Sequence, residues 1–101
     1  MNQTIVTAAV CLGEDQWLAL EEFASACEAT PDFIEALLQE GVVQPARPEP
    51  DMGFGGEELA RVLRLKRLMR DFDASLAAAA VMLDLLDEIE HLRRQLRRAG
   101  L

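Results

Sequence analysis

The feature that most restricts the fold is a long segment near the end of the sequence without proline or glycine. Residues 74–99 lie within this segment, and Asp73 before them suits the N-cap position of a helix. A helix of that length spans about 39 Å, at 1.5 Å per residue, whereas a small domain is roughly 30 Å across. We therefore predict a long C-terminal helix whose far end extends beyond the core.

The apolar residues in the second half of this segment repeat at alternating spacings of three and four, beginning at Met82. This spacing is typical of the a and d positions of a coiled coil. We therefore predict a homodimer, and the alternative is packing against the chain's own third helix. The predicted dimer interface consists of Leu85, Ile89, Leu92 and Leu96.

Two shorter helical segments are predicted earlier in the chain. Residues 18–28 carry apolar side chains at helical spacing, and a second segment runs from Pro31 to Glu40. Thr30 is a good N-cap, Pro31 suits the first helical position, and Gly41 suits the end of the helix. Two short helices joined by a tight turn predict a helix-turn-helix.

The remaining segments complete a mainly α fold. The pattern of residues 4–12 predicts a short N-terminal strand. Residues 42–56 are predicted to form a loop or a small two-stranded wing anchored by Phe54. A third helix is predicted to begin at Glu57 and Glu58. We expect one domain overall, with a winged helix-turn-helix region at residues 1–72 and the long helix at 73–101.

The acidic residues are concentrated in the first half of the chain. The net charge is −8. Residues 1–51 contain ten acidic residues and one basic residue, whereas residues 52–101 contain eight acidic and nine basic residues. A surface of this sign repels nucleic acid and anionic membranes and favours a cationic partner.

The sequence offers little for catalysis or metal binding. It has one histidine, His91, and its two cysteines, Cys11 and Cys27, lie sixteen positions apart. We therefore expect no metal, no cofactor and no enzymatic activity. No apolar run is long enough to cross a membrane, which favours a cytoplasmic protein with reduced thiols.

The layout of the segments resembles the MerR-like winged helix-turn-helix proteins, and within them the chaperone-modulator family of CbpM type. The resemblance covers roughly residues 17–98 and depends on the arrangement of several stretches. These are Leu20-Glu21-Glu22-Phe23, Glu40-Gly41-Val42-Val43-Gln44-Pro45, Phe54, Val62-Leu63-Arg64-Leu65-Lys66-Arg67-Leu68, Asp71-Phe72-Asp73, and Met82-Leu83-Asp84-Leu85-Leu86-Asp87-Glu88-Ile89-Glu90-His91-Leu92-Arg93.

The resemblance implies a small bacterial protein of the cytoplasm that binds the J-domain of a CbpA/DnaJ-like co-chaperone. Binding would prevent the J-domain from stimulating its Hsp70 partner. The alternative is a MerR-like DNA-binding transcriptional regulator. A DNA-binding helix needs lysine or arginine, and residues 30–40 contain three acidic residues and no basic one.

J-domains approach Hsp70 with a basic helix, so an acidic helix-turn-helix would complement them in charge. We predict that the charged part of the partner-binding site consists of Glu21, Glu22, Asp32, Glu35 and Glu40, and that its apolar anchor is one of Phe33, Leu37 and Phe54. The basic row Arg61, Arg64, Arg67 and Arg70 is interpreted as a solvated face that pairs internally with Glu57, Glu58 or Asp71, and the alternative is nucleic-acid binding.

Overall fold

The computed structural model describes residues 17–101, and this part of the chain is mainly helical, which confirms the predicted fold class. The predicted strand at residues 4–12 lies outside the described residues. The chain divides into two compact units between Leu63 and Arg64. In chain order, the helices of residues 17–101 are α1 (Leu20–Ala26), α2 (Pro31–Gln39), α3 (Gly56–Phe72) and α4 (Leu76–Arg98).

Helix α1 is shorter than predicted. Leu18 was expected to be helical, but it exchanges two backbone hydrogen bonds with Phe54, at 2.8 and 2.9 Å. The helix therefore starts at Leu20, where the Glu22 side chain accepts a hydrogen bond from the Ala19 N–H at 3.2 Å. It ends before Glu28, whose backbone is left-handed with φ of 56°.

The predicted boundaries of helix α2 are confirmed to within one residue. The Thr30 Oγ1 accepts a hydrogen bond from the Phe33 N–H at 3.1 Å, and Pro31 occupies the first turn. Glu40 is the C-cap, and Gly41 follows with φ of 72°, a left-handed conformation that glycine adopts without steric cost. Helices α1 and α2 contact each other, which gives the predicted helix-turn-helix.

The segment between α2 and α3 forms isolated antiparallel bridges and no extended two-stranded sheet. Arg47 pairs with Gly53, and Leu18 pairs with Phe54. Phe54 is fully buried and stacks on Phe23, with ring centroids 4.3 Å apart. The prediction that Phe54 anchors this segment is confirmed.

The first unit has a well-defined apolar core. Helices α1 and α2, the bridged segment and the first half of α3 all contribute to it. The buried apolar residues of this unit are Phe23, Ala24, Cys27, Ile34, Leu37, Val42, Val43, Phe54, Leu59 and Val62.

In the second unit, the start of the long helix differs from the prediction. Asp73 was expected to be its N-cap, but Asp73 is left-handed with φ of 49° and ends α3. Ser75 is the N-cap, because its backbone is extended and its hydroxyl accepts a hydrogen bond from the Ala78 N–H at 3.1 Å. Helix α4 has 23 residues and spans about 35 Å. In residues 17–101, no helix is both long and apolar enough to cross a membrane.

Candidate functional site

Five acidic side chains predicted to bind a partner are all exposed on or beside α1 and α2. Neither Leu20–Ala26 nor Pro31–Gln39 contains a lysine or arginine. The two helices therefore present negative charge without a compensating base of their own. The acidic surface, as we name it, consists of Glu21, Glu22, Asp32, Glu35 and Glu40.

The local sequence explains how α2 contributes to this surface. Ile34 and Leu37 are buried, so the residues between them point in other directions around the helix. Asp32 and Glu35 are three positions apart and lie on the same exposed side. Asp32 is also in the first turn, where the helix dipole favours a negative charge.

Two of the three predicted apolar anchors are inaccessible. Leu37 and Phe54 are both 0% exposed, because they fill the core of the first unit. The prediction that either one could contact a partner is therefore wrong for this structure. Phe33 is half-buried and keeps part of its surface open.

Trp17 is an exposed aromatic residue that the sequence analysis did not assign to the site. It is 38% exposed, and its side chain lies against the backbone of Gly53 and Gly55. The sequence does carry a signal for this contact. Glycines on both sides of Phe54 leave space on one face of an extended segment for a large ring from a neighbouring segment.

The apolar residues of α4 that were predicted to form a dimer interface are half exposed within the single chain. Leu85 is the most exposed at 59% and Ile89 the least at 45%. The chain itself thus leaves about half of this surface uncovered. The α4 seam, as we name it, consists of Leu85, Ile89, Leu92 and Leu96.

The row of arginines on α3 is partly engaged within the chain. The Arg61 side chain donates a hydrogen bond to the Val42 carbonyl oxygen, and Arg70 forms an ion pair with Asp71 at 3.3 Å. Arg64 and Arg67 are exposed. Two of the four arginines therefore have internal partners.

The described residues contain no obvious metal site. Within residues 17–101, no group of three or more His, Cys, Asp or Glu side chains is placed to hold a metal ion. Cys27 is fully buried at the end of α1, and Cys11 lies outside the described residues.

Comparison with protein families matches residues 18–99 to the MerR HTH family regulatory protein. Comparisons with curated proteins and with solved structures give no match. The family match covers the helix-turn-helix, the bridged segment, α3 and α4. The chain belongs to the MerR family of helix-turn-helix regulatory proteins.

Proposed function

We propose that this protein is a chaperone modulator that binds the J-domain of a CbpA/DnaJ-like co-chaperone and prevents it from stimulating Hsp70. The protein would act in the cytoplasm by binding alone, without catalysis. The observation that supports this most is the negative charge of the helix-turn-helix. Helices α1 and α2 contain four exposed acidic residues, a fifth is the C-cap of α2, and neither helix contains a basic residue.

An acidic helix-turn-helix suits a partner that presents a basic helix. Opposite charges on two surfaces raise the association rate and select the correct orientation, while apolar contacts supply more of the affinity. Inhibition would follow from binding of this kind. A J-domain whose basic helix is covered by the acidic surface cannot offer that helix to Hsp70.

The family match itself favours a second candidate, a DNA-binding regulator. Such a protein would place α2 in the major groove and contact phosphates with α2 and the wing. Helix α2 has no basic residue, and between α2 and α3 Arg47 is accompanied by Glu49 and Asp51. Since non-specific DNA affinity depends on neutralising phosphates, this charge pattern favours the chaperone modulator.

Isothermal titration of the full chain with the J-domain of a CbpA/DnaJ-like co-chaperone tests the proposal. The titration is run at about 50 and about 200 mM salt, beside fluorescence anisotropy with mixed-sequence duplex DNA. We expect saturable J-domain binding that weakens with salt, and no DNA binding. Binding to DNA without binding to the J-domain would support the transcriptional regulator.

Charge reversal on α2 then locates the interface. The triple variant Asp32→Lys, Glu35→Lys, Glu40→Lys should weaken J-domain binding at least about tenfold, or about 1.4 kcal/mol, because attraction becomes repulsion.

A matched control reverses three exposed acidic residues outside α1 and α2: Glu49→Lys, Asp51→Lys and Asp71→Lys. It makes the same change in net charge and should alter the dissociation constant by less than about threefold. Equal losses in both variants would mean that only net charge matters and would contradict the assignment to the acidic surface. Circular dichroism checks that both variants remain helical.

We also infer that the protein is a homodimer through the α4 seam. The four seam side chains are each at least 45% exposed in the single chain. Apolar side chains at a and d spacing gain stability when a second helix covers them. Sedimentation equilibrium at high micromolar concentration should give twice the 11.2 kDa chain mass, and a value of one chain would contradict the dimer.

A further inference from the structure

We propose that Trp17 and Glu58 form a binding site for one cationic side chain, arginine or lysine, of a basic protein partner. We call this binding site the seat. The seat lies in the first unit and is separate from the residues of the acidic surface. The identity of the partner as a J-domain rests on the proposed function. The proposal that the seat binds a cationic side chain does not rest on the proposed function. The experiments below test the seat and the proposed function separately.

The Trp17 ring is held in place by its neighbours in the chain. The next residue, Leu18, is fixed by its two backbone hydrogen bonds with Phe54. Because side chains alternate along extended backbone, Phe54 points into the core and Trp17 lies on the other face, over Gly53 and Gly55. A Cβ atom on Gly53 would be only 2.7 Å from the Trp17 Cβ. The close fit leaves the ring little freedom, so binding a ligand costs little conformational entropy.

A carboxylate lies beside the same ring. The Glu58 Oε1 accepts a hydrogen bond from the Gly55 N–H at 2.7 Å. The position of a Cβ on Gly55 would be 2.8 Å from the Trp17 Cζ3 and 3.3 Å from the Glu58 Oε1. The Glu58 carboxylate and the six-membered ring of the indole therefore both lie against the same glycine.

An indole face next to a carboxylate suits a cation. The ring attracts an ammonium or guanidinium group to its face, and tryptophan is the best of the aromatic residues for this contact. The Glu58 carboxylate adds a charge-assisted hydrogen bond to the same cation. A neutral apolar ligand would use the ring but would gain nothing from the carboxylate.

The surroundings also favour a cation supplied by a protein partner. Within residues 17–63, Trp17 is the only large apolar side chain described as exposed. It lies just before α1, whose Glu21 and Glu22 belong to the acidic surface, so the seat is continuous along the chain with that surface. Exposed tryptophan is among the residues that contribute most to protein interfaces, and it would supply the apolar anchor that Leu37 and Phe54 cannot.

Fluorescence tests the seat directly, because Trp17 is the only tryptophan in the chain. The full chain is titrated with a nona-arginine peptide, which has no aromatic residue of its own. We expect a saturable change in Trp17 emission, with a dissociation constant raised about two- to fivefold by Glu58→Gln. That variant removes the charge and keeps an oxygen that can accept the Gly55 hydrogen bond. Emission that does not change saturably would overturn the proposal.

Titration with the J-domain then tests the seat in the proposed complex. Trp17→Leu should raise the dissociation constant about tenfold, and Trp17→Phe should raise it less, because phenylalanine retains an aromatic face. The matched control is Phe72→Leu, which changes an exposed aromatic residue outside the first unit and should have no effect. Thermal unfolding confirms that each variant is folded.

The outcomes separate the two proposals. If the wild-type chain does not bind the J-domain but its emission responds to the peptide, the proposed function fails and the seat stands. If the wild-type chain binds the J-domain, Trp17→Leu binds it equally well and the peptide does not change the wild-type emission, the seat is overturned and the proposed function stands.

Discussion

At the scale of single residues, the contact between Trp17 and Gly53 makes a sharp prediction about stability. Gly53→Ala would place a methyl group 2.7 Å from the Trp17 Cβ, which is close to the backbone and cannot swing aside. We expect the substitution to lower the free energy of unfolding by about 1–3 kcal/mol, as overpacking does. Urea unfolding of Gly53→Ala, Trp17→Gly and the double variant measures this loss. Trp17→Gly removes the Cβ that the new methyl group would meet, so the double variant should lose little beyond Trp17→Gly alone. Additive losses would mean that the clash is not the cause.

Single residues also show what the sequence can predict and what it cannot. Thr30 and Gly41 define the ends of α2 correctly because each satisfies a local requirement of the backbone. Asp73 and Ser75 are equally suitable N-caps, and the choice between them depends on where α3 ends, which a local pattern does not contain. Phe54 was predicted correctly as an anchor of its own segment. Its stacking on Phe23 removes it from the surface, and that contact is invisible in the sequence.

At the scale of elements, the charges of α4 predict the orientation of the proposed dimer. Residues 84–90 contain four acidic residues, and residues 93–98 contain four arginines. An antiparallel pair of helices places each acidic half opposite a basic half, whereas a parallel pair places like charges together. The apolar spacing agrees with this, since the antiparallel arrangement pairs Leu85 with Leu96 and Ile89 with Leu92.

Disulfide trapping distinguishes the two orientations. In a Cys11→Ser background, a Leu85→Cys chain is mixed with a Leu96→Cys chain under mild oxidation; Cys27 is buried. We expect the mixed disulfide to dominate over either self-disulfide. Predominant linkage of Leu85→Cys chains to each other would indicate a parallel pair. The periodicity of α4 thus predicts a seam, while its charge pattern predicts how a second copy would lie on it.

At the scale of the whole molecule, the two proposed interfaces use different residues. The acidic surface and the seat for a cation lie between Trp17 and Glu58, in the first unit, and the α4 seam lies in the second. Because the two proposed interfaces share no residue, we predict that they act independently. Each chain of a dimer should therefore bind one J-domain, with equal affinity at both sites.

A monomeric variant tests this independence. Ile89→Glu with Leu92→Glu puts two charges into the seam, and since both positions are about half exposed in the single chain, the fold should persist. We expect one chain mass in sedimentation equilibrium, a melting temperature that no longer rises with protein concentration, and a J-domain dissociation constant within about twofold of wild type. A large loss of J-domain affinity in a folded monomer would mean that the partner contacts both chains of the dimer. The J-domain interface would then include α4, and inhibition of the co-chaperone would depend on dimerisation.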